Sequence, residues 1–241
     1  KQKKYTRIVQ ISRIFLLLSF LFIWEFSANI GLIYSFIFSS PSMIFKTFVE
    51  MAKNHSLFIH IGATLKETLL SFLFVVVLGL GISILLWVCP RLAKVLEPYL
   101  VVLNSLPKIA LGPVIIIVVG AGTEAIIFMA LAISLIVTVL EMLAGFRATN
   151  PESIKMARTF GATKRQVFTK IVFPSNINTL FNSLKINIGL SLVGVIAGEF
   201  LVSKAGLGYL IVYGGQVFQL DLVMSSVLIL SVMAALMYQS V

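Results

Sequence analysis

The sequence predicts an all-α membrane protein with six transmembrane helices, and three observations carry that prediction. Of its 241 residues, 59% are hydrophobic, and the mean hydropathy is +1.05. A soluble globular composition lies far from this. Apolar runs of about twenty residues, the length that crosses a bilayer as a helix, recur along the chain. The basic residues behind the net charge of +10 flank those runs instead of forming one continuous face. That placement is the signature of membrane topology, and it excludes a nucleic-acid surface.

Residues 1–13 read as a cytoplasmic N-terminus, and 14–241 as a single membrane domain with spans at about 14–33, 64–88, 92–119, 123–145, 180–202 and 222–241. Lys1, Lys3, Lys4, Arg7 and Arg13 precede the first run, which contains Trp24 and Glu25. A cleaved signal peptide shares that outline. The run is long for one, however, and more spans follow, so the reading is an uncleaved first span. The chain does not begin with methionine, which predicts a few preceding residues. Phe38-Ser39-Ser40-Pro41-Ser42 is a capping and turn cluster that opens a short amphipathic helix with Met43, Ile44, Phe48 and Met51. In the second span Thr64, Thr68, Ser71, Val75 and Gly79 fall on one helical stripe. His55 and His60 read as solvated or interfacial loop side chains, and Cys89 is alone, with no disulfide or metal companion.

The third span is interrupted. Pro98, Pro107 and Gly112-Pro113 each break the backbone ladder. Such breaks persist in a membrane only where protein or water supplies partners. Gly120-Ala121-Gly122 reads as an external turn, with Thr123 and Glu124 capping the fourth span.

Between the fourth and fifth spans lies the polar segment 147–174, with Arg147, Lys155, Arg158, Lys164, Arg165 and Lys170. Asn150 suits a helix cap, Pro151 the first helical position and Glu152 the first turn. Ile154, Ala157 and Phe160 recur at helical spacing, and Gly161 stands where a left-handed residue closes a helix. A second short helix follows, with Val167, Phe168, Ile171 and Val172 on one side and Pro174 as its limit. Two amphipathic helices hinged at a glycine make a docking surface. The competing reading, a basic loop lying on anionic lipid, explains the charge but not that punctuation.

This segment resembles the "EAA" loop of permease subunits from binding-protein-dependent ABC importers. Ala157, Gly161, Ile171 and Pro174 stand at positions of that pattern, while Lys155 replaces its leading glutamate. Asn104-Ser105-Leu106-Pro107-Lys108-Ile109-Ala110-Leu111 is similar to the third span of the sulfonate, nitrate and taurine branch. Glu199 with Gly206-Leu207-Gly208-Tyr209 resembles that branch's last external loop, which Gly214-Gly215 and Asp221 complete.

The resemblance implies a type I ABC importer permease that works beside a second copy, two cytoplasmic ATPase subunits and an external solute-binding protein, in a bacterial cytoplasmic membrane. ATP and Mg would sit on the partner, with no cofactor on this chain. It implies ATPase-coupling roles for Lys155, Met156, Ala157, Thr159, Phe160, Gly161, Ala162 and Arg165. It implies small solutes: sulfonates, taurine, nitrate, or precursors of thiamine or riboflavin type. A basic tail after Val241 is also expected.

Charge placement agrees with six spans and both ends cytoplasmic. Fourteen of the nineteen basic residues fall in the N-terminus, at Arg91 and Lys94, and in 147–185. Lys46, Lys53, Lys66 and Lys204 fall outside, and Lys108 near a span. No GxxxxGK[ST] stands anywhere, so ATP chemistry must come from another chain. Catalytic clusters are lacking at depth, which argues against a membrane-embedded enzyme. A secondary transporter or channel is the alternative, but neither inverted repeats nor buried ion ligands are visible.

Ser183, Asn187, Ser191, Gly194 and Gly198 share one face of the fifth span, readable as close helix packing or as the wall of a translocation path. Ala130, Ser134, Thr138 and Glu141 repeat the pattern in the fourth. Asn104, Ser105, Asn187, Ser191, Gly194 and Glu199 are the candidate pathway residues, and no residue set has metal-ligand spacing.

Overall fold

Long apolar segments dominate the chain, and each becomes a helix because the backbone can then satisfy its own polar groups. The computed structural model describes residues 2–32 and 39–241. Lys1, the side chains of residues 2–11, 14 and 17 (those of Lys3, Lys4 and Arg7 among them), and 33–38 lie outside the described residues. The expected end of the first span and Phe38 fall there too.

Among the described residues the chain is helical, with no strand. Helix α1 (Gln2–Asn29) is followed by amphipathic α2 (Pro41–Lys53), which Ser40 caps by accepting the Met43 N–H at 3.3 Å. Glu25 of α1 accepts from the Ser42 amide and hydroxyl at 3.0 and 2.8 Å, which ties the two together. His55, at φ 58, turns the chain into α3 (Ser56–Val88). These 33 residues form one unbroken helix, about 50 Å long at a rise of ~1.5 Å per residue.

The expected break in the next segment is a sharp bend. Helix α4 (Pro90–Ser105) stops before Pro107, a 3-10 turn (Lys108–Leu111) follows, and α5 (Gly112–Val119) leaves at 89°. Then come α6 (Thr123–Ala148), α7 (Pro151–Thr159), α8 (Lys164–Val167), a π turn (Phe168–Val172) and α9 (Phe173–Ser175). Helices α10 (Ile177–Val202), α11 (Leu207–Gln216) and α12 (Leu220–Ser240) complete the chain. Among the described residues four helices, α3, α6, α10 and α12, are long and apolar enough to cross a membrane, and the bent pair α4–α5 makes a fifth crossing if counted as one span.

At the centre α6 packs along both α3 and α10. The α3 stripe read from the sequence is buried in full, and Glu67, Ser83 and Leu86 extend it. Hydroxyls on these faces bond back to their own helix. Thr68 donates to Thr64 O at 2.7 Å, Ser83 to Gly79 O at 2.7 Å and Thr138 to Ser134 O at 2.9 Å. With these three hydroxyls satisfied within their own helices and the facing side chains small, the backbones come close.

Candidate functional site

One end of the bundle carries the loop 147–174. Asn150 Oδ1 accepts the Glu152 N–H at 2.8 Å, and Pro151 opens α7. The helix closes with Gly161 at φ 78. Its N–H reaches Arg158 O at 2.9 Å, and Ala162 N–H reaches Ala157 O at 3.0 Å. This pair of bonds is a Schellman closure, which requires a left-handed residue and so favours glycine. Thr163 and Gln166 form a reciprocal capping box at the start of α8.

The loop has two unlike faces. On the inner one Ile154, Ala157, Ala162, Val167, Phe168 and Val172 pack under Met142 and Phe146 of α6 and Trp87 of α3. The Phe168 ring lies 5.2 Å from Trp87 and 5.3 Å, edge-on, from Phe146. The outer face carries Lys155, Met156, Thr159, Phe160, Gly161 and Arg165, all exposed, with Phe160 at 84% and Met156 at 60%. Asn176 Nδ2 donates to Thr149 Oγ1 and to Val172 O, both at 2.8 Å. A buried clasp therefore closes the loop, tying Thr149 at the end of α6 to the last carbonyl of the π turn through one side chain. Arg147, at the end of α6, pairs with Glu97 of α4 at 3.2 Å.

At the opposite end of the same helices, side chains from α3 and α10 receive the N-terminus of α11. Gly206 N–H donates to His60 Nδ1 at 3.0 Å, Leu207 N–H to Thr64 Oγ1 at 2.8 Å and Gly208 N–H to Glu199 Oε2 at 2.5 Å. Thr64 Oγ1 in turn donates to Glu199 Oε1 at 2.6 Å. The first amides of a helix lack internal partners, and the Glu199 carboxyl supplies an acceptor for one of them. Tyr209 stacks on His60 with centroids 5.9 Å apart.

His60, read as a solvated or interfacial loop side chain, instead lies on α3, half-buried, where it accepts from the Gly206 amide. Gly206-Leu207-Gly208-Tyr209, expected as loop, instead begins a helix. A side chain on Gly208 would come within 2.7 Å of Glu199 Oε2, so the carboxylate occupies the space the glycine leaves. Thr123, expected to cap its own helix, donates to Glu67 Oε1 at 3.2 Å, and Gly122 stands at the cap. Glu67 Oε2, buried, has no partner among the described residues. It borders a crevice of about 530 Å³ together with Lys66, Thr123, Ser203 and Lys204.

Between these ends, the α10 stripe faces α6. A Cβ on Gly194 would strike the Ala130 backbone, and one on Gly198 would lie 2.9 Å from Ile126 Cα. Asn187 Oδ1 accepts from Thr138 at 2.8 Å, and Asn187 Nδ2 donates to Ser183 at 3.1 Å. Asn187, Ser191, Gly194 and Glu199 are thus buried within this chain, whereas Asn104 and Ser105 are exposed. Lys108 Nζ donates to the side chain and carbonyl of Asn104, at 3.1 and 3.2 Å, across the bend. Glu141 Oε2 is buried with no partner among the described residues.

The family of binding-protein-dependent transport system inner membrane components matches residues 75–241. The chain belongs to that permease family. A probable ABC transporter permease protein of Haemophilus influenzae is 28% identical over 92% of this chain and 89% of its own length. The formylaminopyrimidine transport permease protein ThiX of Halalkalibacterium halodurans is 29% identical, over 78% of this chain and 74% of its own. The taurine transport system permease protein TauC of Escherichia coli is 24% identical, over 89% and 80%. Among solved structures, a chain of the inward-facing MetNI methionine ABC transporter superposes with a TM-score of 0.67 at 20% identity, covering 75% of this chain and 90% of that one. That likeness establishes the type I importer permease fold. The chain is therefore a multi-pass membrane permease of the ABC-importer class.

Glu67 and the Thr149–Asn176 clasp were not read from the permease's sequence, and His60 was read there as a loop residue. Glu67 had a usable signal, since it falls three residues after Thr64, on the stripe that the structure buries. The clasp joins residues 27 apart with no periodic relation, and nothing local announces it.

Proposed function

We propose that this permease forms half of the membrane domain of an ABC importer, crossing the bilayer six times with both ends in the cytoplasm. Helix α1, at 28 residues, provides the sixth crossing. A second copy completes the pair, two ATP-hydrolysing subunits with their own ATP and Mg dock from the cytoplasm, and a solute-binding protein delivers cargo outside. The docking face is Lys155, Met156, Thr159, Phe160, Gly161 and Arg165, with Ala157 and Ala162 seating it on the bundle. Lys155 in place of a glutamate makes the partner's matching position acidic or neutral.

The translocation path runs along α4 and α5, where Asn104 and Ser105 are exposed. Asn187, Ser191, Gly194 and Glu199 belong to the α6–α10 unit that moves behind it. ATP closes the partner dimer and favours one of two arrangements of that unit. Nucleotide thus needs a higher affinity for one state, which is the condition for coupling. Cargo is a small solute of the kinds named for its relatives, such as formylaminopyrimidine or taurine.

The observation that carries this reading is Phe160. An aromatic side chain 84% exposed sits on a loop whose other face is fixed to α3 and α6, and a large apolar group so presented is a binding hot spot. Phe160→Ala tests it. Copurification of the ATPase subunit should weaken by about tenfold or more, and solute-stimulated ATP hydrolysis should fall with it. Full copurification and full stimulation in the variant would refute the assignment.

A further inference from the structure

A second basic site lies on the side of α7 turned away from the docking face. Ile154 and Arg158 are four residues apart on one side of α7, and Met156 and Phe160 on the other. Between Arg158, Lys164, Arg147 and the end of α3 at Trp87 and Val88 the structure holds a crevice of about 450 Å³. No acidic residue lines it. Arg147 has Glu97 as a partner at its rim, but Arg158 and Lys164 make no side-chain hydrogen bond or ion pair among the described residues. With Arg147 answered by Glu97, Arg158 and Lys164 are the two unanswered cations on one cavity, and together they call for an anion.

The walls say which anion. The floor is apolar, with Leu86 buried and Trp87 half-buried. Val88, on its wall, is 37% exposed, and Leu85 and Leu92, close by in the chain, are exposed at 51% and 38%. α3 ends here, where an apolar helix passes into the polar, proline-started α4. A soluble phosphate would answer the charge and leave the apolar rim in water. A phosphate that carries acyl chains answers both, and cationic pockets at the ends of membrane helices have that occupant.

We infer that this crevice binds the phosphate of an anionic membrane phospholipid, which bridges α3 and α6 to the loop 147–174. The inference rests on the proposed placement of that loop at the cytoplasmic face. The bound lipid holds the inner side of α7 while the outer side stays free for the ATPase. Lipid composition then sets how stiffly the loop is tied to the bundle.

The test uses the full chain purified in detergent, with thermal unfolding and native mass spectrometry as readouts. Phosphatidylglycerol, phosphatidylcholine and glycerol 3-phosphate are the probes. Phosphatidylglycerol should raise the Tm and stay bound, and the other two should not. An Arg158→Gln, Lys164→Gln double variant, which leaves the apolar floor intact, should weaken phosphatidylglycerol binding by about tenfold. Equal retention by variant and wild type would overturn the site. Equal protection by glycerol 3-phosphate would reassign it to a soluble anion. If the double variant loses ATPase copurification but keeps its lipid, the two cations serve the partner and the lipid site is refuted. Copurification in wild type is scored separately, so failure of the docking reading stays distinguishable.

Discussion

Glu199 shows how one side chain decides the order of a whole region. It sits at the end of α10, accepts from Thr64 of α3 and from the Gly208 amide, and so fastens the start of α11 to two long helices. Truncation to alanine leaves two buried donors without an acceptor, at about 1–3 kcal/mol each. Glu199→Ala should therefore lower the Tm of the purified protein by roughly 5–10 °C, as read by thermal unfolding. Glutamine keeps one carbonyl acceptor but presents an amide where the second oxygen accepted, so Glu199→Gln should lose about half as much. An alanine variant as stable as wild type would show that water takes over both donors.

At the scale of the element, the loop 147–174 draws its shape from Gly161 more than from its charges. Its φ of 78 lies in the left-handed region, and a Cβ added there would meet nothing within 4 Å. The cost of substitution is thus conformational, about 1–2 kcal/mol for a side chain that resists that region, and not a clash. Gly161→Val should reduce solute-stimulated ATP hydrolysis severely while the helices still insert. Gly161→Asn, which tolerates the left-handed region, should retain most of it. Equal activity in the two variants would mean the hinge conformation does not matter to coupling.

This hinge was readable beforehand, because caps, prolines and glycines act on their immediate neighbours. The buried stripe on α3 was readable for a related reason, since helical periodicity reports which face is covered. The 89° turn between α4 and α5 was only half legible. Pro107 and Gly112-Pro113 announce a break, but its angle is set by packing against α6 and α10. Glu67, His60 and Asn176 depend on partners 56, 146 and 27 residues away, and periodicity carries no information about pairings of that kind.

Across the whole molecule, the loop and the Glu199 network sit at opposite ends of α6 and α10. Any signal between them must pass along that helix pair, whose 26-residue members are each about 39 Å long. The pair transmits as a unit only if its surfaces cannot slide, and Gly194 against Ala130 and Gly198 against Ile126 supply that fit. Gly194→Val tests the link. The added side chain must push α6 from α10, with an overpacking cost of about 1–3 kcal/mol. Because Asn187 and Thr138 share the interface, their hydrogen bond should loosen as well. Binding-protein stimulation of ATP hydrolysis should then collapse, although Phe160 and Glu199 are both intact and the ATPase subunit still copurifies. Val193→Leu, on the neighbouring exposed position, changes side-chain bulk without touching α6 and should leave stimulation near the wild-type level. Were Gly194→Val to retain full stimulation, coupling would have to bypass the α6–α10 contact, and the bent pair α4–α5, tied to the loop end by Arg147 and Glu97, would become the route to examine.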